Sequence, residues 1–339
     1  MKDLLKKLAE TFGPAGNEAQ IRDVIREKVK GFVDEVETDA MGNLIAIRKG
    51  HGPRVMVAAH MDEIGVIVTH IDEKGFLRFS NIGGVSPFVL LGQKVIFANG
   101  TVGSCGMENL SEMKDLKLNK MFIDIGATDR DSASKKVSIG DIGGLYGEAH
   151  FIGDKVIAKS LDNRSGCAVL IKTLENLAER DIHNQIYAVF TVQEEVGLRG
   201  AKIAAYRVNP DIGFAVDVTR TGDTPESPAM AVKLGGGPTI KVKDSVVLTH
   251  PLVRQFMIDI AEKKDIPYQL EVLERGGTDT GPIHLTREGV PSGAISIPAR
   301  YIHTPSEMAD LNDIENAVKF LVAILESELG DRGTGYLTH

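Results

Sequence analysis

Five apolar runs of this sequence end in acidic or histidine residues, and this recurring arrangement constrains the fold more than any other feature. In chain order the runs are RVMVAA, VIAKSL, IYAVFTV, IGFAV and GAISIPARYI. Each run has the composition of a buried β-strand. Ligands of open α/β sheets bind beyond the carboxyl ends of the strands, so residues scattered in sequence can converge there. The polar residues that follow the runs are His60, Asp62, Asp162, Glu194, Glu195, Asp217 and His303.

Such a convergence would place five carboxylates in one cleft with only two imidazoles. Like charges at contact distance cannot all stay ionised, so cations must neutralise them. Imidazole and carboxylate without thiolate form the ligand set of catalytic zinc and of related ions such as cobalt or manganese. Two histidines and three carboxylates suffice for two ions if one carboxylate bridges. The sequence therefore predicts a site for divalent metal ions.

The adjacent residues Glu194 and Glu195 favour a division of labour. Successive side chains of a strand point to opposite faces, so one carboxylate can bind a metal while the other acts as a base. His60 and Asp62 share a face of an extended segment, and we expect Asp62 to accept a hydrogen bond from the second ring nitrogen of His60. Explanations without a metal stay open. Glu194 and Glu195 could be a solvated acidic pair, His60 a buried histidine bonded to its neighbour Asp62, and Asp162 a helix N-cap.

Composition argues against several protein classes. The 339 residues are 42% hydrophobic and 25% charged, which is typical of a globular protein of about two domains. A net charge of -8, without any block of Lys or Arg, argues against nucleic-acid binding. No run approaches the roughly eighteen apolar residues of a membrane span, and the N-terminal segment lacks a secretory signal, so we expect a cytoplasmic protein. Cys105 and Cys167 give no disulfide framework and no thiolate zinc site.

The pattern of hydrophobic residues divides the chain into two kinds of structure. Outside residues 67–157, helical and strand-like segments alternate, which predicts an α/β fold with a central mixed sheet and helices on both faces. Within 67–157, short β-rich runs and Gly-rich turns predict a small all-β barrel inserted into a loop of the larger domain. We therefore predict one discontinuous domain, 1–66 and 158–339, and an inserted domain, 67–157, whose surface pairs subunits. Helices are predicted at 163–178, 252–262 and 311–329, and strands at 186–192 and 268–273.

The segments AAHMDEIG, SLDNRSG, VQEEVGLRG, AVDVT, GGTDTGP and IPARYIHTPSE, in this order, resemble those of the tetrahedral aminopeptidases. These are relatives of the glutamyl and deblocking aminopeptidases among the two-metal metallopeptidases, and some relatives carry the name endoglucanase. The resemblance extends over nearly the whole chain. It implies an enzyme that hydrolyses N-terminal residues from short peptides through two-metal activation of water. It also implies two zinc or cobalt ions per subunit, and dimers that assemble through the inserted domain into a hollow dodecamer.

The resemblance also implies a role for each residue of the site. The ligands implied for one ion are His60, Asp162 and Asp217. The ligands implied for the other are Asp162, Glu195 and His303, so that Asp162 bridges the two ions. Glu194 would be the general base, and Asp62 would orient His60.

Three alternatives remain. A two-metal deacylase or carboxypeptidase would use the same ligand types. An endoglucanase could cleave a glycoside with two carboxylates, although a chain without Trp and with 5% aromatic residues has few rings to stack on sugars. A metal-stabilised assembly protein would leave Glu194 without a task.

The sequence gives weaker indications about the substrate. It favours a neutral aliphatic first residue, or an acidic one if Arg220 reaches the pocket, and the segment GGTDTG at 276–281 is expected to line the cleft. The remaining histidines are expected to be surface or satisfied residues: His51, His70, His150, His183, His250, His284 and His339.

Overall fold

The computed structural model describes residues 1–330, in which an eleven-stranded mixed sheet lies beside a closed six-stranded barrel. The α-helices are α1 (Lys2–Glu10), α2 (Ala19–Val29), α3 (Pro87–Leu90), α4 (Arg130–Ser134), α5 (Leu161–Leu177), α6 (Arg199–Val208), α7 (Pro251–Lys263), α8 (Thr280–His284) and α9 (Leu311–Glu326). Short 3-10 helices span Met113–Asp115 and Leu118–Lys120. None of the helices in residues 1–330 combines the length and apolarity that crossing a membrane requires.

The strands are, in chain order, β1 (Glu35–Thr38), β2 (Leu44–Arg48), β3 (Arg54–His60), β4 (Gly65–Ile71), β5 (Leu77–Ile82), β6 (Lys94–Phe97), β7 (Val102–Met107), β8 (Met121–Asp124), β9 (Ile142–Leu145), β10 (His150–Ile152), β11 (Lys155–Ala158), β12 (Gln185–Thr191), β13 (Ile212–Arg220), β14 (Thr239–Lys243), β15 (Gln269–Val272), β16 (Ser292–Arg300) and β17 (Glu307–Asp310). The large sheet has the order β1-β2-β12-β3-β13-β16-β17-β11-β10, with β14 and β15 attached beside β16. At its centre β12, β3, β13 and β16 run parallel, so their carboxyl ends meet at one edge of the sheet.

Helices cover both faces of the large sheet, and strand β3 shows how. Its side chains point alternately to opposite faces. Val55, Val57 and Ala59 belong to the core cluster that contains α5 and α9, whereas Met56 and Ala58 belong to the cluster that contains α6 and α8. The predicted α/β fold is therefore confirmed. The helices and strands predicted beyond residue 158 correspond to α5, α7, α9, β12 and β15, with ends that differ by up to three residues.

The barrel consists of antiparallel strands in the order β4-β5-β8-β7-β6-β9, and β9 pairs with β4 to close it. Its apolar core is separate from the core of the large sheet. Gly65 lies opposite Gly144, so the chain enters and leaves the barrel at neighbouring positions. The inserted small barrel predicted from the sequence is confirmed.

The predicted C-terminal boundary of the inserted domain, at residue 157, does not agree with the observed strand pairing. Strand β10 and most of β11 fall within the predicted range 67–157, but these two strands pair with each other, and β11 pairs with β17 of the large sheet. Val156 and Ala158 accordingly lie in the core of the large sheet. The hydrophobic pattern of a strand records that it is buried, but it does not record which sheet the strand joins. The division into two domains itself stays a prediction.

A buried ion cluster ties the chain together where it passes from β3 into the barrel. Glu63 accepts hydrogen bonds from the backbone N–H of Gly13, at 3.0 Å, and from Lys159 Nζ, at 2.5 Å. The Ser160 hydroxyl also donates a hydrogen bond to the Glu63 carboxylate. The Arg164 guanidinium lies 3.6 Å from this carboxylate. Burial by itself would raise the pKa of Glu63, but Lys159 and Arg164 lower that pKa below its usual value. The cluster thus joins the N-terminal segment, the entry to the barrel and the start of α5.

Replacing Glu63 should destabilise the protein strongly. Glu63→Ala leaves Lys159 and Arg164 buried without their anion, and breaking a buried ion pair in this way costs about 3–5 kcal/mol. The matched control is Glu27→Ala, which removes an exposed pair with Lys30 and should cost less than about 1 kcal/mol. Urea unfolding measures both free energies. Equal losses in the two variants would contradict the importance of the cluster.

Candidate metal centre

The predicted site residues lie together at the carboxyl edge of the parallel strands. His60 is the last residue of β3 and pairs in register with Thr191, the last residue of β12. Glu194 and Glu195 follow β12, and Asp217 lies near the end of β13. The remaining predicted ligands enter from elements beside these strands: Asp162 at the start of α5 and His303 after β16. Because parallel strands place their carboxyl ends at one edge, residues far apart in sequence become neighbours.

Asp162 lies between the two histidines and presents one carboxylate oxygen to each. Its Oδ1 is 3.1 Å from His60 Nε2, and its Oδ2 is 3.3 Å from His303 Nε2. His60 Nε2 is also 3.6 Å from Asp217 Oδ1, and His303 Nε2 is 3.2 Å from Glu195 Oε2. Asp162 therefore has the position of a bridging carboxylate.

Two overlapping groups of ligand-type atoms share His60. One group contains Glu194 and Asp217, the other contains Asp162 and Glu195, and within each group the ligand atoms lie within 4.8 Å of one another. Each group includes one of the two adjacent glutamates. Distances alone therefore do not separate a metal-binding glutamate from a basic one.

The Asp62 carboxylate does not make the expected hydrogen bond with His60. The nearest acceptor for His60 Nδ1 is the backbone carbonyl of Asp62, at 3.2 Å, whereas the Asp62 carboxylate is 3.6 Å away. The carboxylate instead accepts the backbone N–H groups of Glu194, at 3.0 Å, and Glu195, at 3.2 Å. Asp62 is fully buried. It thus fixes the backbone of the glutamate pair in addition to contacting His60.

Burial and mutual proximity perturb the ionisable groups of the site. Burial raises the pKa of Glu194 well above its usual value, and the charges of Asp217 and Glu195 raise it further. Burial lowers the pKa of His60, but the surrounding carboxylates outweigh that effect and raise it well above its usual value. Burial also lowers the pKa of His303, but its carboxylate neighbours outweigh this effect and raise that pKa to about 11. The site therefore attracts positive charge.

The donor set fits divalent metal ions. It combines imidazole nitrogens and carboxylate oxygens, as catalytic zinc sites do, and the carboxylates converge closely enough to require cations. Neither thiol takes part. Cys167 donates to the backbone carbonyl of His60, and Cys105 lies in the barrel core. Burial raises the pKa of both thiols to about 12, so both stay protonated.

The site opens into a cavity of about 450 Å³. Beyond the ligand-type residues, its lining includes Arg220 and Arg275, together with Leu273, Gly276 and Gly277. The guanidinium groups of Arg220 and Arg275 have no hydrogen-bonding or ion-pairing partner within residues 1–330. A larger cavity of about 640 Å³, lined by α6 and α8, contains no histidine or carboxylate. We therefore assign the chemistry to the smaller cavity.

Two arginines near the predicted ligands in sequence are engaged elsewhere. The Arg164 guanidinium is buried and donates to the backbone carbonyls of Leu8 and Thr11. Arg300 forms a paired contact with Asp223, with nitrogen–oxygen distances of 3.0 and 2.7 Å. Neither lines the cavity that contains the carboxylates.

Two residues of the site region, Glu307 and Arg275, were missed in the sequence. Glu307 is buried and accepts backbone N–H groups of Asp162 and His303. Asp279, which belongs to the predicted lining segment, is buried, accepts the hydroxyl of Thr191, and has its pKa raised by burial to about 7. In the predicted lining segment GGTDTG, only Gly276 and Gly277 line this cavity. The residues between them and Gly281 are buried.

The other histidines do not join the centre. None of them, within residues 1–330, belongs to a group of metal-ligand residues. His339 lies outside the residues that the structure describes.

Comparison with known proteins gives consistent matches over most of the chain. The sequence family described as M42 glutamyl aminopeptidase matches residues 42–320. A protein of Acetivibrio thermocellus provisionally named an aminopeptidase is 59% identical over 95% of this chain and 97% of its own length. The lysyl aminopeptidase of Pyrococcus furiosus is 38% identical over 96% of each chain. The glutamyl aminopeptidase of Lactococcus lactis is 31% identical over 96% of each.

Solved structures match equally broadly. An aminopeptidase of the archaeon Desulfurococcus kamchatkensis superposes with a TM-score of 0.91 at 40% identity, over 96% of this chain and 94% of that one. The TET1 peptidase of Pyrococcus horikoshii, described as assembling into a tetrahedron or a large octahedral shell, gives 0.86 at 33% identity, over 96% and 98%. A Thermotoga maritima protein named endoglucanase gives 0.81 at 34% identity, over 95% and 96%.

Chelation of divalent ions should lower the melting temperature of the protein, and added Zn²⁺ or Co²⁺ should restore it. Ions that bind only the folded state stabilise it, by about 2.7 kcal/mol at a hundred times the dissociation constant. Asp162→Asn should remove most of this metal-dependent stabilisation because Asp162 faces both histidines. The control Asp313→Asn alters another buried carboxylate, outside the site, and should keep the metal-dependent stabilisation. A melting curve that chelator leaves unchanged would argue against a metal centre.

Proposed function

Because the chain belongs to the M42 glutamyl aminopeptidase family, we propose that it removes N-terminal residues from peptides by metal-assisted hydrolysis at the centre around Asp162. The family establishes a peptide hydrolase of the aminopeptidase type. The observation that carries the metal dependence is the placement of Asp162 between two histidines, inside a cluster of buried carboxylates. We assign the ligands as the resemblance implies: His60, Asp162 and Asp217 for one ion, and Asp162, Glu195 and His303 for the other.

Divalent ions bound there would polarise the peptide carbonyl and lower the pKa of the attacking water. In the proposed mechanism Glu194 acts as the general base. It accepts the proton of the attacking water at a carboxylate oxygen and returns it to the leaving amine nitrogen. Glu194 lines the cavity together with the ligand-type residues, where its carboxylate is placed to accept and release a proton. Zinc or cobalt fits the donor set, and the proposal is two ions per subunit.

The two glutamates differ in their surroundings, and this supports different roles. Glu195 Oε2 is 3.2 Å from His303 Nε2, within the cluster that contains Asp162. Glu194 Oε2 is 3.9 Å from His60 Nε2, the longest of the ion-pair distances at the site. We therefore assign Glu195 as a ligand and Glu194 as the base. Asp62, which accepts the backbone N–H groups of both, holds the pair in place.

We propose an acidic first residue as the preferred substrate. Arg220 and Arg275 line the cavity that contains the carboxylate cluster, and neither guanidinium is paired with another group of residues 1–330. Guanidinium groups recognise carboxylates with two parallel hydrogen bonds. The α-amino group of the substrate would face the carboxylate-rich side of the same cavity, where positive charge is favoured. An aliphatic first residue, the other expectation from the sequence, finds Val218, Leu273 and Ile302 as the apolar side chains in the described lining of the cavity.

We further propose that the chain forms a homo-oligomer, with dimers assembling into a tetrahedral dodecamer. The barrel exposes large apolar side chains, among them Phe88 and Ile139, which are 59% and 65% exposed. A second apolar surface lies between α6 and α8, where Ile203, Tyr206 and Leu285 line one cavity. Exposed apolar side chains that cluster on a surface mark contact sites. Both support association with further copies of the chain.

An endoglucanase activity remains the second candidate because two of the similar structures carry that name. A soluble glucan assayed beside a peptide substrate, with and without chelator, separates the two activities. The proposal predicts chelator-sensitive peptide hydrolysis and no release of reducing sugar.

The two glutamates should respond differently to the same substitution. Glu194→Gln should retain both metal ions while hydrolysis of leucyl or glutamyl p-nitroanilide falls by about a hundredfold or more, the usual contribution of a general base. Glu195→Gln should lose metal because a ligand charge is removed. Metal content and turnover, measured on the same samples, check both expectations. An empty site in Glu194→Gln, or full activity and metal in Glu195→Gln, would reverse the assignment.

The same assay tests whether a free amine is required. N-acetylated versions of the two p-nitroanilides serve as the control substrates and should be inert to the unaltered protein. Equal rates on free and acetylated substrates would favour a deacylase or an endopeptidase over an aminopeptidase.

Removing either cavity arginine should weaken the acidic preference selectively. Arg220→Ala and Arg275→Ala should each lower kcat/KM for glutamyl p-nitroanilide by about ten- to a hundredfold, since hydrogen bonds to a charged group contribute about 1.5–3 kcal/mol. Hydrolysis of leucyl p-nitroanilide should change little. Arg300→Ala is the matched control because Arg300 is paired with Asp223 outside the cavity. A ratio of glutamyl to leucyl activity that both cavity variants leave unchanged would refute this specificity.

A further inference from the structure

Glu307 is buried beside the proposed metal centre and binds the backbone of two of its ligands. It begins β17 and is 2% exposed. Its Oε2 accepts the backbone N–H of Asp162 at 2.9 Å, and its Oε1 accepts the backbone N–H of His303 at 2.8 Å. No side chain within residues 1–330 donates a hydrogen bond to it. One carboxylate thus joins the start of α5 to the turn between β16 and β17.

Both segments that Glu307 joins contain strained backbone. His303 has a φ of +67°, and Ser160, two residues before Asp162, has a φ of +58°. Residues with side chains avoid this left-handed region and keep it only where their surroundings impose it. The buried Glu307 carboxylate accepts hydrogen bonds from both segments and so helps to hold their backbone in this conformation. It fixes the direction in which the Asp162 and His303 side chains leave the backbone.

The hydrogen bonds of Glu307 indicate a supporting role and not that of a ligand. Each of its oxygens accepts one backbone N–H group, and it belongs to neither group of metal-ligand residues within residues 1–330. Asp62 has the corresponding arrangement on the other side of the site, where it accepts the N–H groups of Glu194 and Glu195. Each carboxylate therefore holds the backbone of two neighbouring site residues without lining the cavity itself.

We propose that Glu307 is a positioning residue that sets the affinity of the metal ion shared by Asp162 and His303. This inference rests on the proposed function, because it takes these two residues as ligands. Groups that orient metal ligands through hydrogen bonds typically change metal affinity about 10- to 100-fold when they are replaced. The ion held by His60 and Asp217 should depend on Glu307 less, since only the bridging Asp162 connects them.

The variant Glu307→Gln tests the proposal. Its amide offers one oxygen and one NH₂ group, so one of the two backbone N–H groups faces a donor and loses its acceptor. Chelator-treated protein is titrated with Co²⁺ against a competing chelator, and the Co²⁺ absorption spectrum reports the coordination of each ion. We expect one of two ions per chain to bind about 10- to 100-fold more weakly, with an altered spectrum, while the other binds nearly as in the unaltered protein.

Asp313→Asn provides the matched control. Asp313 is 1% exposed and accepts the backbone N–H groups of Gly235 and Gly237, each at 2.7 Å, away from the metal ligands. It therefore loses the same kind of interaction at a position that should not affect metal binding. Both variants should lower the melting temperature of the metal-free protein, but only Glu307→Gln should weaken Co²⁺ binding. This difference separates positioning from a general loss of stability.

The possible results are distinct. Unchanged Co²⁺ affinity and spectrum in Glu307→Gln, or an equal loss in Asp313→Asn, would overturn the role of Glu307 while leaving the metal centre intact. An unaltered protein that binds no Co²⁺ would instead overturn the proposed function. If Glu307→Gln does not fold, Glu307→Asp replaces it in the titration. Its carboxylate is one methylene too short to reach both N–H groups, so it should also weaken one ion, and normal affinity would refute the proposal.

Discussion

Repulsion among buried carboxylates is the constraint on which the rest of this structure depends. Asp62, Asp162, Glu194, Glu195 and Asp217 meet at one edge of the sheet, and within residues 1–330 only His60 and His303 form ion-pair contacts with them. Such a cluster is costly in a protein interior unless cations or hydrogen-bond donors compensate it. The structure supplies donors to the carboxylates that face away from the cavity. The carboxylates that line the cavity have few donors beyond the two imidazoles, and this is why metal ions account for them best.

The parallel centre of the sheet makes this concentration of charge possible. Strands β12, β3, β13 and β16 are covered by helices on both faces, so the packed core holds them rigidly while their carboxyl ends stay open. Asp62 and Glu307 then fix the backbone of the segments that carry the other groups. The packed sheet and the hydrogen bonds to the backbone thus hold the site residues in place, and such positioning is a condition for efficient catalysis.

Much of this could be predicted from the sequence, and the reason is specific. A polar residue at the end of an apolar run can be recognised in the sequence, so the five predicted strand ends identified the residues that the fold brings together. No sequence pattern points to Glu307, because its proposed role depends on a hydrogen bond from the backbone of a segment 145 residues away. Arg275 lies in a loop whose approach to the cavity is decided by tertiary packing. The pairing of β11 with β17 was missed for the same reason: hydrophobic alternation records burial and not the partner strand.

The most direct test of the account is anomalous X-ray diffraction from crystals of the protein loaded with zinc or cobalt, recorded on both sides of the absorption edge of the metal. The account predicts two anomalous peaks in each subunit on either side of the Asp162 carboxylate, one near His60 and Asp217 and the other near Glu195 and His303. Ordered carboxylates without a peak between them, or a peak at a different place in the subunit, would contradict it.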